Sequence, residues 1–232
     1  MNIQTSIIKF PGGELSKETI GFLARPDRYG EYPAVIVIHE IWGLVDHMKD
    51  VARRFASEGY VTLAVDLFDG ETVSNLEKGY LLKQKYSEEK ILGDLNGAFR
   101  YLKKNEMVNP KRIGCIGFCM GGGLSLLLAC HNKELAAAVV FYGRNPSPIN
   151  QVKDVSCPIL GNYAGADMAI TEKDVELLRQ TLAKYGKTYD LKVYPEMPHA
   201  FFNDAQASYR EAEAKDAWER TLSFYRKYLG PS

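Results

Sequence analysis

Buried-strand and amphipathic-helix patterns alternate along most of this chain. Ala34-Val35-Ile36-Val37-Ile38-His39 is an almost continuous apolar run, as expected of a strand covered on both faces. A helical pattern follows over about 46–57 (Met48, Val51, Ala52, Phe55), and Gly59 stands where a helix end favours glycine. Tyr60 to Val65 is the next buried strand, closing at Asp66. Ile91, Leu95, Ala98, Phe99 and Leu102 fall on one helical face. An apolar strand ending at Phe118 runs into a leucine-rich helix, and Ala137–Tyr142 and Pro158–Tyr163 read as two more buried strands. Val175 to Tyr185 reads as helix, Leu191 to Tyr194 as a short strand, and Ala207 to Tyr228 as a long closing helix. The first segments, Ile3–Phe10 and Thr19–Ala24, fit a hairpin at a sheet edge. This alternation predicts an α/β fold, a mostly parallel sheet with helices on both faces.

Composition narrows the function classes. The 232 residues suit one α/β domain over 1–232, with no repeat or linker. Lys plus Arg equals Asp plus Glu at 29 each, so charge gives no argument for nucleic acid or an anionic membrane. The N-terminus lacks the pattern of a signal peptide, and no apolar run has the length of a membrane span. Four cysteines show no metal-like spacing. Reduced thiols and a cytoplasmic setting are expected.

The candidate chemistry begins at Gly117-Phe118-Cys119-Met120-Gly121. A strand, a sharp turn of small residues and a helix make the context of a nucleophile elbow. Cys119 stands where serine is more usual. A thiolate attacks carbonyl carbon well once the thiol pKa falls from about 8.5, and a helix N-terminus and a nearby histidine both favour that. Cys115, Cys130 and Cys157 lie in apolar surroundings and read as packing residues.

The elbow template requires an acid and then a histidine on loops after later strands. Asp167 follows the strand ending at Tyr163, and His199 follows the last strand. Of the other histidines, His131 reads as a helix C-cap, His47 as a surface residue and His39 as a structural, hydrogen-bonded one. Glu40 ends an apolar strand, where a carboxylate is costly unless paired. The loop after it, Ile41-Trp42-Gly43-Leu44, stands where such hydrolases supply one oxyanion-hole N–H, here Ile41; the other is that of Met120. Trp42 is expected to wall the pocket.

Assembled in order, His39-Glu40-Ile41-Trp42-Gly43-Leu44, Gly117-Phe118-Cys119-Met120-Gly121-Gly122, Asp167 and Pro198-His199-Ala200-Phe201-Phe202 resemble the dienelactone hydrolase (carboxymethylenebutenolidase) family. The resemblance covers essentially the whole chain and implies an eight-stranded α/β-hydrolase fold. It implies hydrolysis of a small-molecule ester or lactone by a Cys119-His199-Asp167 triad, with no metal or organic cofactor. It further implies that Glu40 holds the resting thiol and helps deprotonate it when substrate binds. A monomer, or at most a weak dimer, is expected.

One departure stands out. The resemblance implies two arginines that clamp a substrate carboxylate. After His199 the chain reads Ala200-Phe201-Phe202-Asn203, and Thr72 to Tyr80 offers only Lys78. Tyr80 resembles a pocket tyrosine of the family, Arg144 is the alternative source of positive charge, and Phe201 is taken as a further pocket residue. A broad carboxylesterase or thioesterase is therefore the second reading. A non-catalytic redox sensor or ligand binder is the third.

Overall fold

The computed structural model describes residues 1–230. Its strands follow the order β1-β2-β4-β3-β5-β6-β7-β8 in one eight-stranded sheet, and the chain divides into two compact units, 1–115 and 116–232.

In the first unit β1 (Ile3–Phe10) and β2 (Thr19–Pro26) form the expected edge hairpin. Their antiparallel register runs from Ile3 opposite Pro26 to Phe10 opposite Thr19. Further strands are β3 (Tyr32–Ile38) and β4 (Val61–Val65). β2 pairs antiparallel with β4, and β4 pairs parallel with β3, Ala34 opposite Val61. Residues 34–38 are wholly buried, which explains why β3 shows no polar alternation. Helix α1 (Asp46–Ser57) buries Met48, Val51, Ala52 and Phe55. Glu58 caps its C-terminus, and Gly59 takes φ +93°, a conformation that costs glycine little. His47 is buried on this same face, which corrects the expectation of a surface residue. It lies one turn before Val51, so the helical period places it there.

Helix α2 (Leu76–Gln84) was not expected. Only Gly79 and Leu82 in it are buried, while the Asn75 side chain caps the N–H groups of Glu77 and Lys78. Helix α3 (Glu88–Lys103) starts at a Ser87 cap and buries Ile91, Leu95, Ala98, Phe99 and Leu102. Strand β5 (Val108–Phe118) follows. The crossovers β3-α1-β4 and β4-α3-β5 run in opposite directions along the sheet. Right-handed connections therefore put α1 and α3 on opposite faces.

The second unit contains the end of β5, α4 (Met120–His131), β6 (Ala137–Phe141), a 3-10 turn at Ile149–Asp154, β7 (Ile159–Ala164), α5 (Glu172–Lys184), β8 (Tyr189–Tyr194) and α6 (Glu211–Leu229). β6, β7 and β8 are parallel, with Ala138 opposite Ile159 and Ile159 opposite Tyr189. β6 and β7 are buried throughout. α5 begins three residues earlier than its apolar pattern, because Thr171 and Asp174 form a reciprocal capping box. α6 begins later than expected, at Glu211. The preceding residues are held in a turn, with Tyr209 N–H on Gln206 O and Arg210 N–H on Phe201 O.

Candidate active site

The second unit brings Cys119, Asp167 and His199 together through three loops at the carboxyl ends of β5, β7 and β8. At the first, Cys119 takes φ 55° and ψ −115°, a strained conformation for a residue with a Cβ. Glycines make the turn feasible. A Cβ on Gly117 would meet Gly121 O at 1.8 Å. The Cys119 N–H donates to Phe141 O at 3.1 Å, and Cys119 O accepts from the N–H groups of Gly122 and Gly123 at 3.0 and 3.3 Å. The bonding of α4 thus begins at Gly122, and Met120 N–H lies at the positive end of the helix. Buried leucines in α4 and the Ser125 hydroxyl, 2.9 Å from Val139 O, fix the helix against β6. Cys119 is partly exposed, whereas Cys115, Cys130 and Cys157 are buried.

The acid and histidine loops are joined by their backbones. Gly165 N–H donates to Tyr194 O at 2.8 Å, and Ala166 N–H donates to Met197 O at 2.9 Å. Asp167 uses both carboxylate oxygens. Oδ1 accepts from Ala169 and Ile170 N–H at 2.8 and 3.1 Å, and Oδ2 lies 2.5 Å from His199 Nδ1. The His199 side chain also hydrogen-bonds to Cys119. With Nδ1 turned to Asp167, Nε2 is the nitrogen left for the thiol.

Electrostatics follow from these partners. Burial alone would lower the His199 pKa. The hydrogen bonds to Asp167 and Cys119, with the electrostatic interactions of both side chains, outweigh burial and raise it to about 10. Burial works to raise the Asp167 pKa, but the His199 contact and the N–H groups of Ala169 and Ile170 prevail and lower it.

Strain clusters here. Glu196 and Ala200, on either side of His199, have φ of 59° and 62°, and Tyr142 has φ 39°. Tyr142 is buried with its ring 5.0 Å from the His199 ring. Sequence reasoning did not single out Tyr142; its place at the end of β6, before Gly143, was the available signal. Phe201 is wholly buried, packing on Tyr142 and Tyr194 at ring distances of 5.7 and 5.0 Å. With no exposed surface, its ring packs inside the second unit beside the histidine loop. Arg144 is exposed, and its charge helps lower the Asp174 pKa, behind the larger effect of Thr171.

In the first unit Glu40 and Ile41 are buried directly after β3, and Trp42 is half-buried. The loop is pinned by Val73 N–H on Trp42 O at 3.1 Å, and Gly79 of α2 packs on Ile41. Tyr80 is half exposed on α2. His39 is structural, as expected: Leu67 N–H donates to Nε2 at 3.2 Å, so Nδ1 carries the proton toward Glu40 O at 2.6 Å. Burial lowers its pKa. His131, at the end of α4, instead meets the Gln151 side chain at 3.2 Å. Among the described residues no cluster of His, Cys, Asp or Glu could hold a metal ion.

The dienelactone hydrolase family model matches residues 20–229. The chain belongs to the dienelactone hydrolase family. It is thus a hydrolase of the α/β-hydrolase fold. A protein of Saccharolobus solfataricus named "Putative carboxymethylenebutenolidase" is 38% identical, over 89% of this chain and 93% of that one. An Escherichia coli K12 protein of the same name is 35% identical, over 89% and 82%. The crystal structure of a "Putative Dienelactone Hydrolase" from Klebsiella pneumoniae superposes with a TM-score of 0.91 at 32% identity, over 98% of this chain and 100% of that one.

Proposed function

We propose that this dienelactone hydrolase family member cleaves ester or lactone bonds of small molecules through an acyl-thioester on Cys119. The observation that carries the reading is the position of His199, bonded on one side to Asp167 and on the other to Cys119. Asp167 fixes the tautomer and stabilises the imidazolium. With the proton shared by Cys119 and His199 held on Nε2, as the raised His199 pKa favours, Sγ attacks the acyl carbon. The carbonyl π pair moves to oxygen, and the resulting oxyanion takes the Met120 N–H. When the C–O bond breaks, the leaving alkoxide takes the proton from His199. Water then attacks the thioester, giving its proton back to His199. Collapse of that intermediate releases the carboxylic acid and restores the thiol. The scheme uses no cofactor.

The family resemblance assigns the second oxyanion N–H to Ile41 and the partner of the resting thiol to Glu40. On that assignment Glu40→Gln slows acylation more than it slows thioester hydrolysis, which rapid-quench kinetics separate. The two absent clamp arginines favour a second reading, a broad ester or thioester range in place of dienelactone itself. Comparing kcat/KM for a carboxylate-bearing lactone and its neutral amide separates the two.

Cys119→Ala tests the main proposal. Hydrolysis of an activated aryl ester is expected to fall to background while circular dichroism stays that of the parent. Turnover retained by the folded variant removes Cys119 from the nucleophile role.

A further inference from the structure

A concave site lies in the first unit, on residues the hydrolytic chemistry does not use. A groove of about 760 Å³ runs between β1, β2 and α3. Ile8, Leu23 and Met107 contribute apolar lining, and the rings of Tyr29 and Tyr101 stand along it. Tyr29 is 81% exposed, an unusual position for a large ring with nothing on it.

The charge in this groove is one-sided. Arg25, Arg100 and Lys104 line it against a single acid, Glu106. None of the three cations is paired with a carboxylate among the described residues. Arg25 spends its guanidinium on neutral acceptors, Gln4 Oε1 and Met107 Sδ, both at 2.7 Å. Arg100 Nη2 donates to the Gly12 carbonyl at 2.9 Å. These bonds hold both guanidinium groups in place without neutralising them. Some cations elsewhere do meet acids, among them Lys9 with Glu18, Lys85 with Glu71, Lys90 with Asp94 and Lys192 with Asp216. The chain has equal numbers of acidic and basic residues, so three cations left together in one groove reflect local placement and not an excess of positive charge.

We propose that this groove binds a small organic anion with a flat apolar body. The anionic group would meet Arg25, Arg100 and Lys104 in charge-assisted hydrogen bonds. The body would cover Ile8, Leu23 and Met107 beside the two tyrosines, where apolar area is removed from water. The two halves act together: an exposed cation alone holds a simple anion weakly, and a neutral hydrocarbon would leave the three cations of the groove without a counter-charge. The site is independent of the triad proposal.

The test uses the full chain with 2-naphthoate as probe. Neutral 2-naphthamide and inorganic phosphate serve as the two half-ligands. Amide chemical shifts map the site, and calorimetry measures affinity. Saturable 2-naphthoate binding is expected, with shifts at Arg25, Arg100, Lys104 and Met107. Lys104→Glu, and Arg100→Gln with Lys104→Glu, should each weaken it at least about tenfold. Both variants should stay folded by circular dichroism and keep the parent ester turnover, and Lys104→Glu removes no protein hydrogen bond. Naphthamide and phosphate should each bind at least about tenfold more weakly than naphthoate. The proposal is overturned by absence of saturable binding, by unchanged affinity in the folded variants, or by either half-ligand binding as tightly as naphthoate.

Discussion

His199 Nδ1 and Asp167 Oδ2 lie 2.5 Å apart, with the Asp167 side chain almost wholly buried and that of His199 one third exposed. The buried carboxylate thus holds a ring whose other nitrogen stays accessible to the thiol and to solvent. Replacing Asp167 with Asn preserves the shape of the loop but removes the charge that stabilises the imidazolium. Ester turnover is expected to fall by about 10²-fold or more. Steady-state kinetics on a purified, folded Asp167→Asn variant check this.

The same pair makes stability depend on pH in a stated direction. The His199 pKa is raised from 6.5 to about 10. Its contribution is therefore complete below pH 6.5 and lost as pH rises through about 10. The Asp167 pKa is lowered from 3.8, so its contribution is complete above that value and lost as pH falls through its lowered one. Both are fully present between about pH 4 and 6.5. The difference in melting temperature between the parent and Asp167→Asn should be largest in that window and shrink toward pH 10. Imidazole NMR should place the His199 titration near 10.

Thiol reactivity should single out one cysteine. Burial, with the Asp154 charge behind it, pushes the Cys130 thiol up to about 12. Burial likewise pushes Cys157 up to about 12. Cys115 is wholly buried. Iodoacetamide applied to the native protein at pH 8 is expected to add one group, on Cys119, by peptide mass spectrometry. Unfolding in denaturant should expose all four.

The elbow glycine should tolerate no side chain. In Gly117→Ala the new methyl would overlap the Gly121 backbone, which is not the end of a flexible side chain. Stability should drop by at least about 1–3 kcal/mol, measured by denaturant unfolding, with loss of turnover. Gly59→Ala is the control. Its Cβ meets nothing within 4 Å, so only its backbone conformation carries a cost, about 1–2 kcal/mol, and turnover should persist.

Much of this was legible in the sequence because it rests on local chemistry. Continuous apolar runs identified β3, β4, β6 and β7, whose burial leaves no alternation to read. The glycines around Cys119 announced a turn that backbone overlap requires. Asp167 and His199 were found from their order and from their positions after strands. Helix α2 was invisible because it has no apolar stripe, with Leu76, Tyr80 and Leu81 exposed and its start set by one asparagine cap. Phe201 read as a pocket residue because it neighbours His199 in sequence. The positive φ of Ala200 reverses the chain and sends that ring into the core. The sequence placed Tyr142 at the end of β6, but its contact with His199 is tertiary and could not be read from that position alone.

The central claim is that Cys119 carries the acyl group. The most direct measurement is acid-quenched mass spectrometry of the enzyme mixed with an activated aryl ester, followed by peptide mapping. The account predicts one acyl group on the peptide bearing Cys119, formed and lost at rates that match turnover. Turnover with no acyl-enzyme at any time, or an acyl group on another residue that forms at the turnover rate, would contradict it.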